Sequence, residues 1–417
     1  MKYIVKNLSL LVIQCIVTCC SFMQGDDNRY AQNERRDIVL SEKQVSLVNA
    51  GNNFSLKMLN AFIENQTNSV VFSSYSLESA LAMLSNGTAG LSQEEILTAL
   101  EIDSGDIDEI NNYYRHLSKE LSTADNTVDI SFNNAFFVNE KYATIRDTFI
   151  ERISDYYGTF VAGYDFEKQN KEALASINKW SDASSNGLLP SILDVLNPSA
   201  YSLLMNAVYF KGQWNSCVRF DKKTSRGDFT ASSGDILSVD YLTTEASLRY
   251  ATNRKKGYKA VHLPYGNGAF YFSVLLPDED KNVSQICTSL SPQDLRVSGD
   301  AYNVALKLPK FELSNKIDLD DILRYMGIRT VFSAVEADFS PMSPDQLNIS
   351  KNFQNCYVRI NEKGTESAAI TVINMGLGAT SDHLEQEPLP FNVTRPFIFS
   401  ISEISTGAIL FIGVYCG

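Results

Sequence analysis

The order of the hydrophobic patterns along the chain restricts its fold more than any other sequence feature. In the first half, apolar residues recur at the spacing of amphipathic helices, in sets that comprise Phe54, Met58, Leu59 and Phe62, then Leu77, Leu81 and Leu84, and then Ile177 and Trp180. In the second half, runs rich in β-branched and aromatic residues are flanked by Gly, Pro or Asn, at residues 203 to 210, 270 to 276, 304 to 308 and 397 to 411. Helices followed by many strands predict an α+β fold rather than a doubly wound sheet.

One helix start is predicted from a local motif. Ser92 and Glu95 are three residues apart, which is the spacing of a capping box. In that motif, each of the two side chains bonds to the backbone N–H group of the other residue. The pair therefore predicts that a helix through Ile96 and Leu100 begins at Ser92.

Composition excludes several classes of function. The chain has 417 residues, 44% of them hydrophobic and 20% charged, which is enough for a large core. Its 36 basic and 49 acidic residues give a net charge of −13, and without a long basic run we expect no nucleic-acid partner. The three histidines, His116, His262 and His383, are too scattered for a His-rich site, so no metal and no cofactor are expected. The common motifs of hydrolases and nucleotide-binding enzymes are missing from the sequence, so the chain is not predicted to be an enzyme.

Residues 1 to 19 differ from the rest of the chain and predict secretion. A basic start is followed by an almost wholly apolar stretch, residues 8 to 18, which is too short to span a bilayer. Cys19 and Cys20 come next, before a polar tail, and this arrangement resembles a bacterial lipoprotein signal, in which a cysteine is acylated and becomes the new N-terminus. We expect lipidation at Cys20, although Cys19 stands where that signal prefers Gly, Ala or Ser. Lipidation of Cys19 and ordinary cleavage without a lipid are the open alternatives.

The remaining chain divides into a tether and one domain. Residues 20 to 44 are polar and charged, and they predict a flexible tether with a reach of roughly 27 Å for a random coil of about 24 residues. Residues 45 to 417 contain no repeat or linker that would divide them. The sequence therefore predicts a protein that is secreted or held on an outer membrane or cell surface, of bacterial origin, and in contact with a membrane only through its lipid.

The cysteines of the predicted mature chain do not form a disulfide scaffold. They are spread along the domain without a CxxC pair, at Cys217, Cys287, Cys356 and Cys416. Four thiols are too few for a fold of this size to depend on them. Pairing of any two is left open by the sequence.

A segment near the C-terminus has the composition of a loop and the alternation of a strand. Residues 362 to 371 read EKGTESAAIT, and a stretch without helix or core pattern follows as far as Pro390. Taken alone, this is a linker or an exposed loop. In an extended strand, however, one face would carry only small, polar or apolar residues without charge, namely Thr365, Ser367, Ala369, Thr371, Ile373 and Met375. The segment is therefore able to become a strand without burying a charge on that face.

With this segment, the sequence resembles the serpin family from about residue 45 to the end. The segment is similar to the serpin hinge EEGTEAAAAT, and residues 206 to 214, NAVYFKGQW, are similar to the family motif NAxYFKGxW. Further matches follow in the family's order, namely LPY at 263 to 265, LPKF at 308 to 311, ADFS at 337 to 340, and RPFIF at 395 to 399 with TGAILFIG at 406 to 413. Each match is short, but together they are specific.

The resemblance implies a serpin fold and a suicide-substrate mechanism. The expected fold has three β-sheets, about nine helices and an exposed reactive-centre loop over residues 362 to 394. A target serine or cysteine protease would cut this loop and become trapped as a covalent acyl-enzyme when the loop inserts into the central sheet. The segment from 365 to 378 would span about 46 Å as a strand at roughly 3.3 Å per residue. A monomer without cofactor, acting as an inhibitor and not as an enzyme, is expected.

The resemblance also assigns roles to individual residues. The hinge comprises Glu362, Gly364, Thr365, Glu366, Ser367, Ala368, Ala369 and Thr371. In the serpin pattern Glu362 pairs with Lys310, and Trp214 lies beneath the point where the loop enters the sheet. Ser73 and Asn206 are expected in a hydrogen-bonded shutter, with Gln354 in place of the family's histidine. Because glutamine donates and accepts but does not protonate near neutral pH, we expect a shutter without pH gating.

The register of the family places the reactive bond between Gly378 and Ala379. Glycine fits a shallow specificity pocket, which favours elastase-like or subtilisin-like targets. Shifts to Leu377 or Met375 are alternatives that suit chymotrypsin-like, cathepsin-like or elastase-like proteases. No Arg or Lys lies between residues 365 and 394, so trypsin-like targets are disfavoured. The alternative function is that of a non-inhibitory serpin that acts as a binding or carrier protein.

Overall fold

The computed structural model describes residues 33–65, 68–102, 106–188, 191–220, 225–349, 353–365 and 387–417. In these ranges the chain forms nine α-helices and one short 3-10 helix at Thr330–Phe332. The α-helices are α1 Glu42–Asn65, α2 Ser74–Ser85, α3 Gly90–Ala99, α4 Ile107–Thr123, α5 Asp147–Tyr157, α6 Asn170–Ser184, α7 Val283–Ser289, α8 Pro292–Leu295 and α9 Asp320–Tyr325. The strands are β1 Val70–Phe72, β2 Val128–Asn139, β3 Phe160–Tyr164, β4 Ser202–Gln213, β5 Ser225–Thr230, β6 Ile236–Asn253, β7 Tyr258–Pro264, β8 Phe270–Pro277, β9 Asp300–Pro309, β10 Phe311–Asp318, β11 Phe353–Asn361, β12 Gly364–Thr365, β13 Leu389–Asn392, β14 Phe397–Glu403 and β15 Ile409–Tyr415.

The helices follow the predicted periodicity where the apolar stripe is long. The apolar residues at helical spacing in α1 are buried, as are those of α2, in which all 12 residues are buried. Helix α2 begins after Ser73, whose side chain accepts a hydrogen bond from the backbone N–H of Ser76. A helix buried on every side packs against neighbours all round, and α2 accordingly contacts α1, α3, α4 and β15.

The predicted capping box at Ser92 is wrong. Helix α3 begins at Gly90 instead, and its preceding residue, Ala89, makes no side-chain cap. The Ser92 hydroxyl accepts a hydrogen bond from the backbone N–H of Asp338, and the Glu95 carboxylate accepts bonds from the N–H groups of Arg329 and Thr330. Both side chains that would form the box are therefore used by a distant segment of the chain.

The described strands form two hydrogen-bonded sheets. Sheet 1 has the order β1-β15-β14-β8-β7-β6-β9-β13, with β5 paired to β6, and sheet 2 has the order β10-β11-β12-β4-β2-β3. The α+β serpin fold was predicted with three sheets. The count differs because the 18-residue strand β6 pairs with β5 near one end, with β7 at the other and with β9 between them, which joins two of the expected sheets into one.

Aromatic side chains fill the space between the two sheets. Phe210 of sheet 2 lies with its ring centre 5.8 Å from that of Phe270 and 6.1 Å from that of Phe411, both in sheet 1. Phe311 of sheet 2 likewise meets Phe399 of sheet 1 at 5.3 Å. Edge contacts at these distances are favourable geometries for aromatic pairs. Sheet 2, which carries the hinge, therefore rests on a packed aromatic layer.

The predicted tether at residues 20 to 44 differs from the structure in its described part. Asn33 forms two hydrogen bonds with Asn126. The backbone N–H of Asn33 donates to Asn126 Oδ1 at 3.2 Å, and the backbone N–H of Asn126 donates to Asn33 Oδ1 at 3.0 Å. Its Oδ1 also accepts from Asn267 Nδ2 at 3.2 Å. Ile38 is buried, its backbone N–H donates to Ser405 Oγ at 2.9 Å, and α1 follows from residue 42. From residue 33 the chain is thus part of the folded body, while Cys20 and residues 20 to 32 lie outside the described residues.

Other features of the described chain bear on the remaining expectations. Cys217 is exposed, whereas Cys287, Cys356 and Cys416 are buried, and all four are free thiols. No helix in the described ranges is both long and apolar enough to cross a membrane. The same residues include no group of three or more His, Cys, Asp or Glu side chains placed to hold a metal ion.

Candidate functional site

The start of the hinge forms a two-residue strand inside sheet 2. Gly364 and Thr365 lie between β11 and β4, with Thr365 opposite Ile360 on one side and opposite Gly212 on the other. Gly364 has φ +146°, and a Cβ there would lie 1.9 Å from the carbonyl oxygen of Gly212. Both its conformation and its close approach to the backbone of β4 therefore require glycine. Thr365, with 2% of its surface exposed, is already buried in the sheet.

Two stacked aromatic rings support this strand from below. The rings of Trp214 and Tyr265 lie 4.7 Å apart with 8° between their planes. Trp214 Nε1 donates to the carbonyl oxygen of Asn361 at 2.9 Å, and its backbone N–H donates to that of Lys363 at 3.1 Å. Trp214 therefore contacts the turn that leads from β11 into the hinge.

The hydroxyl of Tyr265 contacts the hinge directly. Its oxygen lies 2.5 Å from Thr365 Oγ1, and both atoms are buried. Burial raises the pKa of Tyr265 far above its usual value, so the phenol keeps its proton at neutral pH and is able to donate to Thr365. Tyr265 belongs to the LPY match in the sequence, but the sequence assigned it no role. The motif is the only signal for this role in the sequence, and the contact exists because the chain after β7 pairs with the chain after β4, at the bridge between Tyr265 and Trp214.

The predicted pair between Lys310 and Glu362 is present. Lys310 Nζ lies 2.9 Å from Glu362 Oε1 and 3.0 Å from Oε2. The two residues adjoin the same ends of β10 and β11, where Phe311 is opposite Ile360. Partial burial opposes ionisation of Glu362, but the hydrogen bonds from its own backbone and from Lys310 outweigh that effect and hold the pKa of the carboxyl below its usual value.

The three predicted shutter residues do not all bond to one another. Gln354 and the backbone of Ser73 are joined twice, Ser73 N–H donating to Oε1 at 3.0 Å and Nε2 donating to the Ser73 carbonyl at 2.9 Å. Asn206 instead donates to Asn134 Oδ1 at 2.7 Å. The Asn206 Oδ1 atom is buried and has no hydrogen-bond partner among the described residues. Gln354 of β11 thus forms its predicted hydrogen bonds with Ser73, whereas Asn206 of β4 keeps one unsatisfied acceptor.

An apolar cavity is lined by two of the predicted shutter residues, Asn206 and Gln354. Its other lining residues include Leu204, which lies two residues before Asn206 on β4, and leucines of α2 and α9. The cavity therefore touches both strands that flank the start of the hinge, β4 through Asn206 and β11 through Gln354. The remaining hinge residues, Glu366, Ser367, Ala368, Ala369 and Thr371, and the candidate bond residues Met375, Leu377, Gly378 and Ala379 lie outside the described residues.

Comparison with known proteins identifies the class to which this fold and site belong. The family model described as serpin, serine protease inhibitor, matches residues 49–417. An uncharacterised serpin-like protein of Thermococcus kodakarensis is 30% identical over 382 residues, which cover 90% of this chain and 87% of that protein. The leukocyte elastase inhibitor A of Rattus norvegicus is 28% identical over 384 residues, which cover 89% of this chain and 99% of that protein.

A solved structure shows the same architecture. Thyroxine-binding globulin in complex with thyroxine superimposes with a TM-score of 0.78 at 24% identity, covering 89% of this chain and 99% of that one. The chain therefore belongs to the serpin family, and the predicted serpin fold is confirmed. Most of this family are protease inhibitors rather than enzymes, and it includes inhibitors and non-inhibitory carriers.

Proposed function

We propose that this serpin inhibits proteases as a suicide substrate whose cleaved loop inserts between β11 and β4. A serine oxygen or cysteine sulfur of the target protease bonds to the carbonyl of Gly378, and the peptide bond to Ala379 breaks as its amine takes up a proton and leaves. The freed loop then adds to sheet 2 from Thr365 onward. Insertion carries the protease away before water hydrolyses the ester or thioester, so the protease stays covalently attached.

The observation that carries this proposal is the register of Gly364 and Thr365. Thr365 is opposite Gly212 and Ile360, and an antiparallel strand that continued in this register for six residues would set Thr371 opposite both Asn206 and Gln354. Its hydroxyl would then be next to the unsatisfied Oδ1 of Asn206. Two residues further, Ile373 would be opposite Leu204, at the wall of the apolar cavity. The sequence of the loop thus matches the polarity of the groove that would receive it.

The proposed targets follow from the loop sequence. Gly378 or its alternatives, Leu377 and Met375, favour elastase-like, subtilisin-like, chymotrypsin-like or cathepsin-like proteases. The name of the rat relative, an elastase inhibitor, agrees with the first of these classes. The carrier alternative rests on the shared fold with thyroxine-binding globulin, at 24% identity. A carrier would not need an uncharged residue at every second position from Thr365 to Met375, on the face that matches the groove.

Incubation with a panel of elastase-, subtilisin-, chymotrypsin- and papain-like proteases, followed by denaturing electrophoresis and mass spectrometry, tests the proposal. We expect a band that contains both proteins, joined through one of Met375, Leu377 or Gly378. The mass of the released C-terminal peptide identifies the bond. Cleavage in this region by every protease without a joined band would reject inhibition and favour the carrier function.

The N-terminus is proposed to carry a lipid on Cys20 that holds the inhibitor at a bacterial surface. Asn33 is fixed to the folded body by Asn126, and a random coil of 13 residues between Cys20 and Asn33 would reach roughly 20 Å. Asn33 contacts the loop of Asn267, and the adjacent Gly266 donates to the carbonyl of Gln213, which is opposite Gly364. The tether would therefore leave the body at the end of sheet 2 where the hinge enters.

Fractionation of cells that express the full chain tests the anchor. We expect the wild type with the membranes and Cys20→Ala in the soluble fraction, while the matched variant Cys19→Ala stays with the membranes. If Cys19→Ala alone releases the protein from the membranes, the lipidated residue is Cys19 and not Cys20. A wild type found wholly in the soluble fraction would reject lipidation.

A further inference from the structure

We propose that Tyr265 is a positioning residue, whose hydroxyl holds Thr365 in sheet 2 before cleavage and thereby raises the fraction of acyl-enzyme that is trapped. This inference rests on the proposed inhibitory function. It goes beyond the roles expected for Lys310, Trp214 and Glu362, because Tyr265 contacts the inserting segment itself.

The ring of Tyr265 is fixed by packing and leaves its hydroxyl for the hinge. Trp214 stacks on one face at 4.7 Å, and Phe210 meets the ring at 5.2 Å and 66°. The backbone of Tyr265 is also fixed, since its N–H donates to the Phe270 carbonyl at 2.9 Å. A fully buried ring with these neighbours has little freedom, so the position of its oxygen is determined by the core and not by the hinge.

Gly212 makes room for this arrangement. It lies on β4 directly opposite Thr365, and a Cβ on it would lie 2.8 Å from Tyr265 Cδ1 and 3.0 Å from Phe210 Cε1. A side chain at this position would push the ring away from the strand. The missing side chain of Gly212 therefore lets the Tyr265 hydroxyl reach within 2.5 Å of Thr365 Oγ1.

The hydroxyl pair favours the inserted state of the hinge. Thr365 is 2% exposed, and a buried hydroxyl without a partner is disfavoured. If the Tyr265 oxygen were removed, Thr365 would lose its partner inside the sheet and regain water as a partner outside it. The hinge would then leave the sheet more often. After the reactive-centre loop is cut, the hinge would first have to form its strand pairing with β4 and β11 again. Water would have more time to attack the acyl-enzyme, so a larger fraction of the acyl-enzyme would be hydrolysed.

The variants Tyr265→Phe and Thr365→Val each remove one hydroxyl and keep the shape of the side chain, and the double variant removes both. Tyr75→Phe is the matched control, because Tyr75 is also buried and its hydroxyl bonds to Ser118 at 2.9 Å, within the helical layer. Two quantities are measured for each protein. The first is backbone hydrogen exchange of the hinge peptide in the uncleaved protein, and the second is the number of inhibitor molecules consumed for each protease trapped. The rate of bait cleavage is recorded as a control for both.

For Tyr265→Phe we expect hinge exchange and inhibitor consumption to rise several-fold, with the rate of bait cleavage unchanged or higher. Thr365→Val should match it, and the double variant should be no worse than either single variant because both remove the same contact. The Tyr75 control should leave both quantities at the wild-type value. Wild-type exchange and consumption in Tyr265→Phe, or effects that multiply in the double variant, would overturn the proposal.

Failure of the inhibitory function gives a different result. If the wild type forms no covalent band with any protease, inhibition is rejected, and the exchange measurement still decides whether Tyr265 holds the hinge. If the wild type inhibits and Tyr265→Phe changes neither quantity, the function stands and the role of Tyr265 is rejected.

Discussion

Lys310 and Glu362 form an ion pair in which Lys310 Nζ lies 2.9 and 3.0 Å from the two carboxylate oxygens of Glu362. Glu362 lies just before β12, the strand that starts the hinge. The side chains are 33% and 29% exposed, so the pair is only partly screened by water. Since Glu362 is two residues before Gly364, the pair fixes the direction in which the chain turns from β11 toward β4.

Breaking this pair should destabilise the uncleaved protein modestly. We expect Lys310→Met and Glu362→Gln each to lower the free energy of unfolding by about 1 kcal/mol, with no further loss in the double variant. The folded pKa of Glu362 is lowered, so its contribution is present above the unfolded pKa of about 4.3 and is lost as the pH falls through the folded pKa. Urea denaturation at pH 7 and pH 3 measures this, and single-variant losses that add would show that the residues act separately.

Thr365→Arg should convert the inhibitor into a substrate. The Thr365 side chain is buried against Tyr265, where an unpaired cation would cost several kcal/mol, so insertion should stall while cleavage proceeds. Electrophoresis should show a cleaved loop, active protease and no joined band. Thr365→Ser keeps the hydroxyl and should inhibit as the wild type does. Inhibition by Thr365→Arg with an undiminished joined band would mean that insertion from Thr365 is not the mechanism.

Cleavage within residues 375 to 379 should raise the Tm by roughly 10 °C or more. The added central strand would contribute several kcal/mol of hydrogen bonds and buried side chains, and each kcal/mol moves the Tm of a chain longer than 150 residues by about 2–4 °C. Calorimetry of the intact and nicked proteins measures the change. An unchanged Tm after confirmed cleavage would mean that the loop stays outside sheet 2.

Asn206 should matter more after cleavage than before it. In the uncleaved protein its Oδ1 atom has no partner in the described part of the chain, whereas insertion in the observed register brings Thr371 opposite it. We therefore expect Asn206→Ala to lower the Tm of the nicked protein more than that of the intact one. Thr371→Val should lower only the nicked Tm, and the two changes should not add in that form. Equal effects of Asn206→Ala on both forms would contradict the register.

Glu78→Gln should stabilise the protein at and above neutral pH. Burial in α2 raises the pKa of Glu78 to about 8, against a lowering from its hydrogen bond with Ser55. Because the folded pKa is raised, the penalty for ionisation is absent below the unfolded pKa of about 4.3 and grows as the pH rises toward 8, to several kcal/mol. Unfolding curves of both proteins should coincide near pH 4 and separate by pH 8. A separation that does not change with pH would assign the effect to packing.

The α+β class, the helices α1, α2 and α6, and the strands β4, β8, β9, β14 and β15 follow from the sequence because they depend on periodicity within 10 to 20 residues. Phe54, Met58 and Phe62 lie on one face of any helix, and that face must be buried wherever the helix packs. The uncharged face of the hinge is likewise a property of alternate residues. The partner of Lys310 could be predicted only through the family resemblance, since 52 residues separate it from Glu362.

The remaining features were decided by contacts between distant parts of the chain. Ser92 and Glu95 have the local pattern of a capping box, but backbone groups more than 230 residues away take both side chains. Asn33 belongs to a segment with the composition of a flexible tether, but its hydrogen bonds with Asn126 and Asn267 fix it to the folded body. The hydroxyl of Tyr265 reaches Thr365 only because the chain after β7 pairs with the chain after β4, where Tyr265 is bridged to Trp214. Periodicity records which face of a segment is buried, whereas the partner on that face is determined when the sheets pack.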